Sequence, residues 1–160
     1  MRTLTFSSGS FDADDGGVFA QWDLTEIELL SDASGGYSIA GDGTIAALIT
    51  GSGDMTLASG DITIGGSGDN TYSGSTFVTG AAVTLAKDEA LGNTELLDIS
   101  NGSVAFGETT QTIGAMNVGE SGAFTMGPSG SLTLTADSTI ASANAGVSGA
   151  ITVEFRLPTR

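Results

Sequence analysis

The stretch Gly68–Asn93 decides the fold, and it reads GDNTYSGSTFVTGAAVTLAKDEALGN. A polar turn leads into Thr76-Phe77-Val78, and a second turn leads into Val83-Thr84-Leu85. Side chains alternate between the two sides of a strand, so Val83 and Leu85 share one side and Thr84 lies on the other. Two β-runs this short cannot bury a core alone, and chains with such segments stack near-copies of them. We therefore expect this stretch to be one rung of a stack, with Val83 and Leu85 pointing inward.

The same pattern continues on both sides of this stretch. Apolar residues two positions apart recur between glycine-, asparagine- or aspartate-containing turns, for example Met55 and Leu57, Ile62 and Ile64, Leu97 and Ile99, Val104 and Phe106, and Leu132 and Leu134. An up-and-down sheet would also show such pairs, but runs this short with glycine at nearly every turn favour a coil. The sequence therefore predicts an all-β fold, a right-handed parallel β-helix (β-solenoid). The handedness follows from the preference of parallel crossovers for the right hand.

The domain organisation follows from where the pattern begins. We expect one domain over residues 1–160, with a less regular N-terminal segment at 1–36 and repeat rungs at 37–155. Glycine turns flank the N-terminal segment, which favours strands there over the helical face that would be formed by Leu24, Ile27 and Leu30.

Composition excludes several classes of partner and chemistry. The net charge is −15, from 4 Lys+Arg against 19 Asp+Glu, so nucleic acids and anionic membrane surfaces are disfavoured. The acidity is interpreted as a source of solubility, with calcium binding as the alternative. The chain has no cysteine and no histidine, which removes disulfides, thiolate metal sites and the usual general base.

Candidate sites for chemistry are few, and each has a structural interpretation. Gly65-Gly66-Ser67-Gly68-Asp69-Asn70 resembles a calcium-binding nonapeptide, but its aspartate is fifth rather than sixth and the motif occurs once, so a turn is expected. Loop acids could suggest glycosidase carboxylates, but nothing sets two of them across a cleft; they are Asp12, Asp14, Asp15 and Asp23. Trp22 is expected in the core or at a cap, with a carbohydrate-stacking platform as the alternative.

The remaining candidates lie in or beside turns of the central stretch. Lys87 is the only lysine and is expected on the outside. Asn70 and Asn93 are expected to hydrogen-bond backbone groups or one another. Tyr72 is expected to pack over its own turn with its hydroxyl at the surface. No catalytic, metal-binding or cofactor-binding residue is predicted, no cofactor is expected, and the chain is expected not to be an enzyme.

The central stretch also carries a family resemblance. The run Asn70-Thr71-Tyr72-Ser73-Gly74-Ser75-Thr76, followed by Val78, Gly80, Val83, Leu85 and Ala90-Leu91-Gly92, resembles the passenger-associated transport repeat of AIDA-type bacterial autotransporters. The lead-in from Ile49 to Leu57 is similar to the segment that precedes such repeats, and the repeat is placed at about 50–93. Phe77 and Ala81-Ala82 depart from the family pattern.

The resemblance implies a structural role in type V secretion. It implies a passenger segment that supports translocation and folding at the bacterial cell surface, exported through the periplasm and outer membrane. The parent protein would be a virulence-associated adhesin or autoaggregation protein, and its partners would be its own outer-membrane β-barrel, copies of itself or a host-surface receptor. The start of the chain lacks a continuous apolar run, so no signal peptide is expected and the chain would be an excised passenger fragment. The alternative is a polysaccharide-binding or polysaccharide-degrading β-helix protein.

Overall fold

A computed structural model describes residues 3–6, 9–12, 26–29, 37–141 and 145–153, with side chains described from Ser38 onward. The described residues form strands and no helix. Consequently none of them belongs to a helix long and apolar enough to cross a membrane. The strands are β1 Thr3–Phe6, β2 Gly9–Asp12, β3 Glu26–Leu29, β4 Tyr37–Ala40, β5 Gly43–Ile45, β6 Leu48–Gly51, β7 Met55–Leu57, β8 Asp61–Ile64, β9 Thr76–Val78, β10 Ala82–Leu85, β11 Leu96–Gly107, β12 Thr110–Ile113, β13 Ala115–Met126, β14 Ser131–Leu134, β15 Thr139–Ile140, β16 Ala145–Val147 and β17 Ala150–Val153.

The strands stack on three faces of a coil, and every ladder between them is parallel. The first face contains β2, β4, β7, β9, the first halves of β11 and β13, and β15. The second face contains β5, β8, β10, the second halves of β11 and β13, and β16. The third face contains β1, β3 and β6, and further along the chain β12, β14 and β17. Parallel pairing throughout rules out the up-and-down sheet for these strands and confirms the parallel β-helix.

One turn of the coil takes about 21 residues on the first face. Met55 pairs with Thr76 and Thr76 with Leu97, which gives spacings of 21 residues (76 − 55 and 97 − 76). From β4 to β15 the chain passes this face six times, which corresponds to five turns (6 − 1). The parallel pairing also includes β1, β2 and β3, upstream of Tyr37.

The core lies inside the coil as columns of apolar side chains, one from each rung. Ile62, Val83, Val104 and Phe124 form one such column in register on the second face. Val83 and Leu85 are each 2% exposed whereas Thr84 is exposed, so the predicted inward and outward positions of β10 are confirmed. Alternation along each strand thus divides it between core and solvent.

Three predictions about individual elements need correction or lie outside the described residues. Leu97, Ile99, Val104 and Phe106, predicted to lie on two short strands, all belong to the 12-residue β11, which changes face at Gly102. Phe77 and Val78 form an apolar pair in the sequence, but only Val78 lies in the core; Phe77 is half-buried and faces outward, since its neighbours Thr76 and Val78 point inward. Trp22, Asp14, Asp15 and Asp23 lie outside the described residues, and Asp12 is described only as part of β2.

Candidate functional site

The third face lacks strands in the middle of the solenoid. Between β6 and β12 the chain passes this face twice without forming a strand, at residues 69–73 and 89–94. The first of these segments still stacks on β6, because the N–H groups of Thr71 and Tyr72 donate to the Ile49 carbonyl. Irregular backbone inside a stack leaves N–H and C=O groups without ladder partners, so side chains must supply the missing partners. Three buried side chains, Asn70, Thr94 and Gln111, and the half-buried Lys87 do this. Together with the buried Tyr72 and Thr76 they are named here the polar cluster.

Asn70 joins three successive rungs through its side-chain amide. It is 3% exposed, and its Oδ1 accepts the Ile49 N–H of the preceding rung at 3.0 Å. Its Nδ2 donates to the Ala90 carbonyl of the following rung at 2.6 Å. Ile49 and Ala90 are themselves buried, so neither backbone group could turn to water. The amide thus replaces two ladder bonds that a regular strand would have made.

Lys87 fixes the orientation of that amide. Its Nζ donates to Asn70 Oδ1 at 2.9 Å and to the Gly68 carbonyl at 2.8 Å. Two donors, an ammonium and a backbone N–H, therefore face Oδ1 and leave Nδ2 to point at Ala90. Partial burial lowers the pKa of Lys87, and the nearby Asp69 carboxylate opposes that shift. Lys87 is half-buried, so it lies closer to the interior than the sequence suggested.

A chain of hydroxyls runs along the adjacent corner. Tyr72 is fully buried and its hydroxyl lies 2.7 Å from Thr76 Oγ1, which lies 3.0 Å from Thr94 Oγ1. Thr94 Oγ1 donates to the Gly74 carbonyl at 2.6 Å. A hydroxyl has one hydrogen, so Thr94 must accept from Thr76, and Thr76 must accept from Tyr72. The protonated tyrosine is therefore the first donor of the chain, and burial raises the pKa of Tyr72 from 10.0 to about 12.

Gln111 closes the polar cluster on the side of the following rung. It is fully buried, and its Oε1 accepts the Leu91 N–H at 3.2 Å. Its Nε2 donates to the Lys87 carbonyl at 2.9 Å and to Thr109 Oγ1 at 3.0 Å. Among the described residues, every buried side-chain nitrogen or oxygen has a hydrogen-bond partner. The polar cluster therefore bonds within and between rungs, with no buried polar atom left for a ligand.

Sequence reasoning located part of this cluster. The prediction that Asn70 bonds backbone groups is confirmed, whereas Asn93 is exposed and only its backbone N–H is bonded, to the Tyr72 carbonyl. The prediction of a surface hydroxyl for Tyr72 is wrong, because the ring points into the solenoid. Thr76, Thr94 and Gln111 were missed.

Two of them, Thr76 and Gln111, could have been predicted from their positions in the core columns. Thr76 pairs with Met55 and Leu97, and Gln111 pairs with Leu132. A polar residue that interrupts an apolar column at the spacing of one turn marks an interior hydrogen bond, since buried polar groups need partners.

Comparison with known proteins found no match. This holds for protein-family models, for curated proteins and for solved structures.

Carboxylates at the corners of the coil form a second set of rung-to-rung contacts. Several accept a backbone N–H from the next rung at 2.6–3.1 Å; the pairs are Asp42 with Asp61, Asp54 with Ser75, Asp88 with Thr110, Glu89 with Thr112, and Glu108 with Ser129. Part of the acidity thus has a structural use, in addition to the solubility and calcium roles considered from the sequence. Among the described residues, no group of three or more acids is placed to hold a metal ion. In the nonapeptide-like segment, Asp69 is exposed and Asn70 points into the core.

Two surface depressions bear on the polysaccharide alternative. One, of about 360 Å³, contains a single carboxylate and is lined by Asn93, Thr94, Glu95, Thr112, Ile113, Gly114 and Thr135. The other, of about 320 Å³, also contains one carboxylate and is lined by Asp98, Ser100, Asn117, Val118, Gly119, Thr139 and Ala141. Glycoside hydrolysis generally uses two carboxyl groups on either side of the scissile bond. Neither depression provides such a pair.

Proposed function

We propose that this chain is a structural, non-catalytic segment of a bacterial autotransporter passenger. It would support translocation and folding at the cell surface after export through the periplasm and the outer membrane. The parent protein would be an adhesin or autoaggregation protein, attached to or released from its own outer-membrane barrel.

One observation carries the proposal. The polar side chains on which the resemblance rests, Asn70, Tyr72 and Thr76, are hydrogen-bonded inside the solenoid. Asn70 and Thr76 bond groups of neighbouring rungs, and the Tyr72 hydroxyl bonds Thr76 of its own rung. The identity of Asn70 is explained by the need to join successive rungs where the third face has no strand, and Thr76 supplies the partner of the buried Tyr72 hydroxyl while it bonds Thr94 of the next rung. Residues that define the repeat and also stabilise the stack are consistent with a segment whose folding is itself its function.

The architecture suggests how folding would assist translocation. In a solenoid each rung contacts only its neighbours, so a folded rung offers the next one a parallel template. A rung that emerges outside the membrane can add to the stack as it appears, and burial of its apolar column opposes backward sliding. The absence of cysteine suits this route, because no disulfide can form in the oxidising periplasm before the chain crosses.

The polysaccharide alternative has less support in the described residues. Each of the two depressions has one carboxylate, and the polar cluster is occupied by its own hydrogen bonds. Incubation with plant, bacterial and host polysaccharides should give no product. Turnover that is abolished by replacing Glu95 or Asp98 would favour the alternative.

A deletion pair tests the proposed role. The chain is placed between an N-terminal epitope and an autotransporter barrel, and surface exposure of the epitope is measured by antibody binding on intact cells. Deleting residues 113–133 removes one whole turn, because Ile113 and Leu134 pair in register and Leu134 then takes the place of Ile113. Deleting residues 113–123 removes about half a turn and joins the third face to the second.

The smaller deletion should be the more damaging. Whole-turn removal keeps the stack continuous and should leave display near the unmodified level, whereas half-turn removal breaks the register of all later rungs. Equal display from the two deletions would show that folding of this segment does not assist translocation.

A further inference from the structure

One asparagine of this chain is followed by a residue without a side chain. Only Asn101 precedes a glycine, whereas the other asparagines precede threonine, valine or alanine; those others are Asn70, Asn93, Asn117 and Asn144. Glycine has no Cβ to shield its backbone nitrogen, and it adopts conformations that other residues disfavour. The Gly102 nitrogen is therefore the backbone nitrogen best able to reach the side-chain carbon of a preceding asparagine.

The folded solenoid holds this dipeptide from both neighbouring rungs. Asn101 and Gly102 lie in β11 at the corner where the strand changes face, and both pair in register with the following rung. The Asn101 Nδ2 donates to the Thr79 carbonyl of the preceding rung at 3.3 Å. Directly after the corner, the Ser103 N–H donates to the Ala81 carbonyl of that same rung at 3.0 Å. The backbone of the dipeptide is thus fixed, although the Asn101 side chain is exposed.

We propose that Asn101 is a self-modification site whose reaction is suppressed by folding. In the unfolded chain the Gly102 nitrogen, having lost its proton, attacks Cγ of Asn101. A bond forms between these two atoms, and the bond from Cγ to Nδ2 breaks. The amide nitrogen takes up the proton and leaves as ammonia, and a cyclic succinimide remains. Water then opens the ring: opening at Cγ gives aspartate, and opening at the backbone carbonyl gives isoaspartate.

Folding suppresses the reaction because ring closure requires the backbone between Asn101 and Gly102 to rotate until the nitrogen and Cγ meet. Pairing with both neighbouring rungs opposes that rotation, so only molecules in which this corner has opened can react. A chain that folds promptly keeps its amide, and a chain that stays unfolded loses it. The reaction needs only the chain and water, so it does not depend on the proposed role in secretion.

The isoaspartate product should prevent the corner from forming again. It routes the main chain through the Cβ and Cγ of residue 101, which lengthens the backbone by one atom. Gly102 fits its corner closely, since its φ is 101° and an added Cβ would overlap the Ala81 carbonyl. A longer backbone displaces Gly102 from that fit. The aspartate product keeps the normal backbone and changes only an exposed side chain, so it should fold like the unmodified chain.

The first test compares the folded and unfolded states of the unmodified 160-residue chain. Samples are held at mildly alkaline pH in buffer and in guanidinium chloride, and peptide mass spectrometry follows the loss of amide at each asparagine. In denaturant, Asn101 should react faster than every other asparagine; in buffer, its loss should be at least about tenfold slower. A short peptide of residues 98–105, held in both solutions, corrects for the effect of the denaturant on the chemistry. Equal rates in the two states, or faster loss at another asparagine of the unfolded chain, would overturn the proposal.

Two variants make the comparison without denaturant. Val83 is buried and pairs with Val104 of β11, whereas Thr84 is exposed on the outward side of β10. Val83→Asp should therefore lose the Asn101 amide faster in buffer than Thr84→Asp, in the order of their unfolding midpoints. Amide loss that does not follow the midpoint would overturn the link to folding.

Refolding tests the consequence for the corner. After reaction in denaturant, the aspartate and isoaspartate forms are separated and the denaturant is removed. Chains with aspartate at residue 101, and a directly made Asn101→Asp variant, should regain the circular dichroism and unfolding midpoint of the unmodified chain. The isoaspartate form should unfold at a lower midpoint or fail to refold. Full recovery of the isoaspartate form would contradict the role assigned to the corner.

Discussion

Replacing Asn70 with alanine should weaken the solenoid at its centre. The change removes the acceptor of the Ile49 N–H and the donor to the Ala90 carbonyl, and both groups belong to buried residues. A buried backbone group left without a partner costs about 1–3 kcal/mol, so the two together give an expected loss of about 2–6 kcal/mol. Lys87 also loses one of its two acceptors, which adds to the loss.

Asn101→Ala is the matched control. Asn101 also bonds a carbonyl of the preceding rung, with Nδ2 3.3 Å from the Thr79 oxygen, but it is exposed. Water can replace that bond, so the change should alter the free energy of unfolding by about 0.5 kcal/mol or less. Urea unfolding curves of both variants and the unmodified chain give the comparison through their midpoints and slopes. Similar losses for Asn70→Ala and Asn101→Ala would refute the reasoning, because burial of the amide would then have no energetic consequence.

Two further variants test the hydroxyl chain and a corner of the coil. Burial raises the folded-state pKa of the Tyr72 hydroxyl from 10.0 to about 12. The protonated hydroxyl therefore stabilises the fold fully below pH 10.0, and this contribution is lost as the pH rises towards 12. The free energy of unfolding, obtained from urea curves between pH 8 and pH 12, should therefore fall more steeply for the unmodified chain than for Tyr72→Phe. The difference over this interval should be about 2–3 kcal/mol, and parallel pH dependences would contradict the prediction. Gly102 has φ of 101° and a Cβ there would overlap the Ala81 carbonyl, so Gly102→Ala should cost about 1–3 kcal/mol. Gly65→Ala is its control, because a Cβ at Gly65 would make ordinary contacts of 3.7 and 3.9 Å. Equal melting temperatures for the two variants would show that the corner at Gly102 does not require glycine.

The sequence predicts the architecture better than the interior chemistry. Alternation with short glycine-separated runs was enough to predict parallel stacking and the inward positions of Val83 and Leu85, because burial is decided by the strand period. It could not predict that β11 continues around a corner at Gly102, since a turn and a bent strand use the same residues there. Nor could alternation reveal the burial of Tyr72, whose hydroxyl bonds Thr76, which in turn bonds Thr94 of the next rung. Such partners become visible only once the register between rungs is known.

Val83→Asp and Thr84→Asp provide the most direct test of the central claim that folding of this solenoid supports translocation. Val83 is 2% exposed between Ile62 and Val104, so its replacement buries a carboxylate. Lys87, the nearest cation in sequence, is already bonded to Asn70 and Gly68. The cost should be several kcal/mol, whereas Thr84→Asp on the outward side should cost little.

The first measurement is the surface display of an N-terminal epitope when each variant chain is placed between that epitope and an autotransporter barrel. The second is the unfolding midpoint of each variant chain on its own. We expect Val83→Asp to lower both the midpoint and the display, and Thr84→Asp to change neither appreciably. A large loss of stability for Val83→Asp with unchanged display would contradict the claim, and the segment would then be a structural spacer.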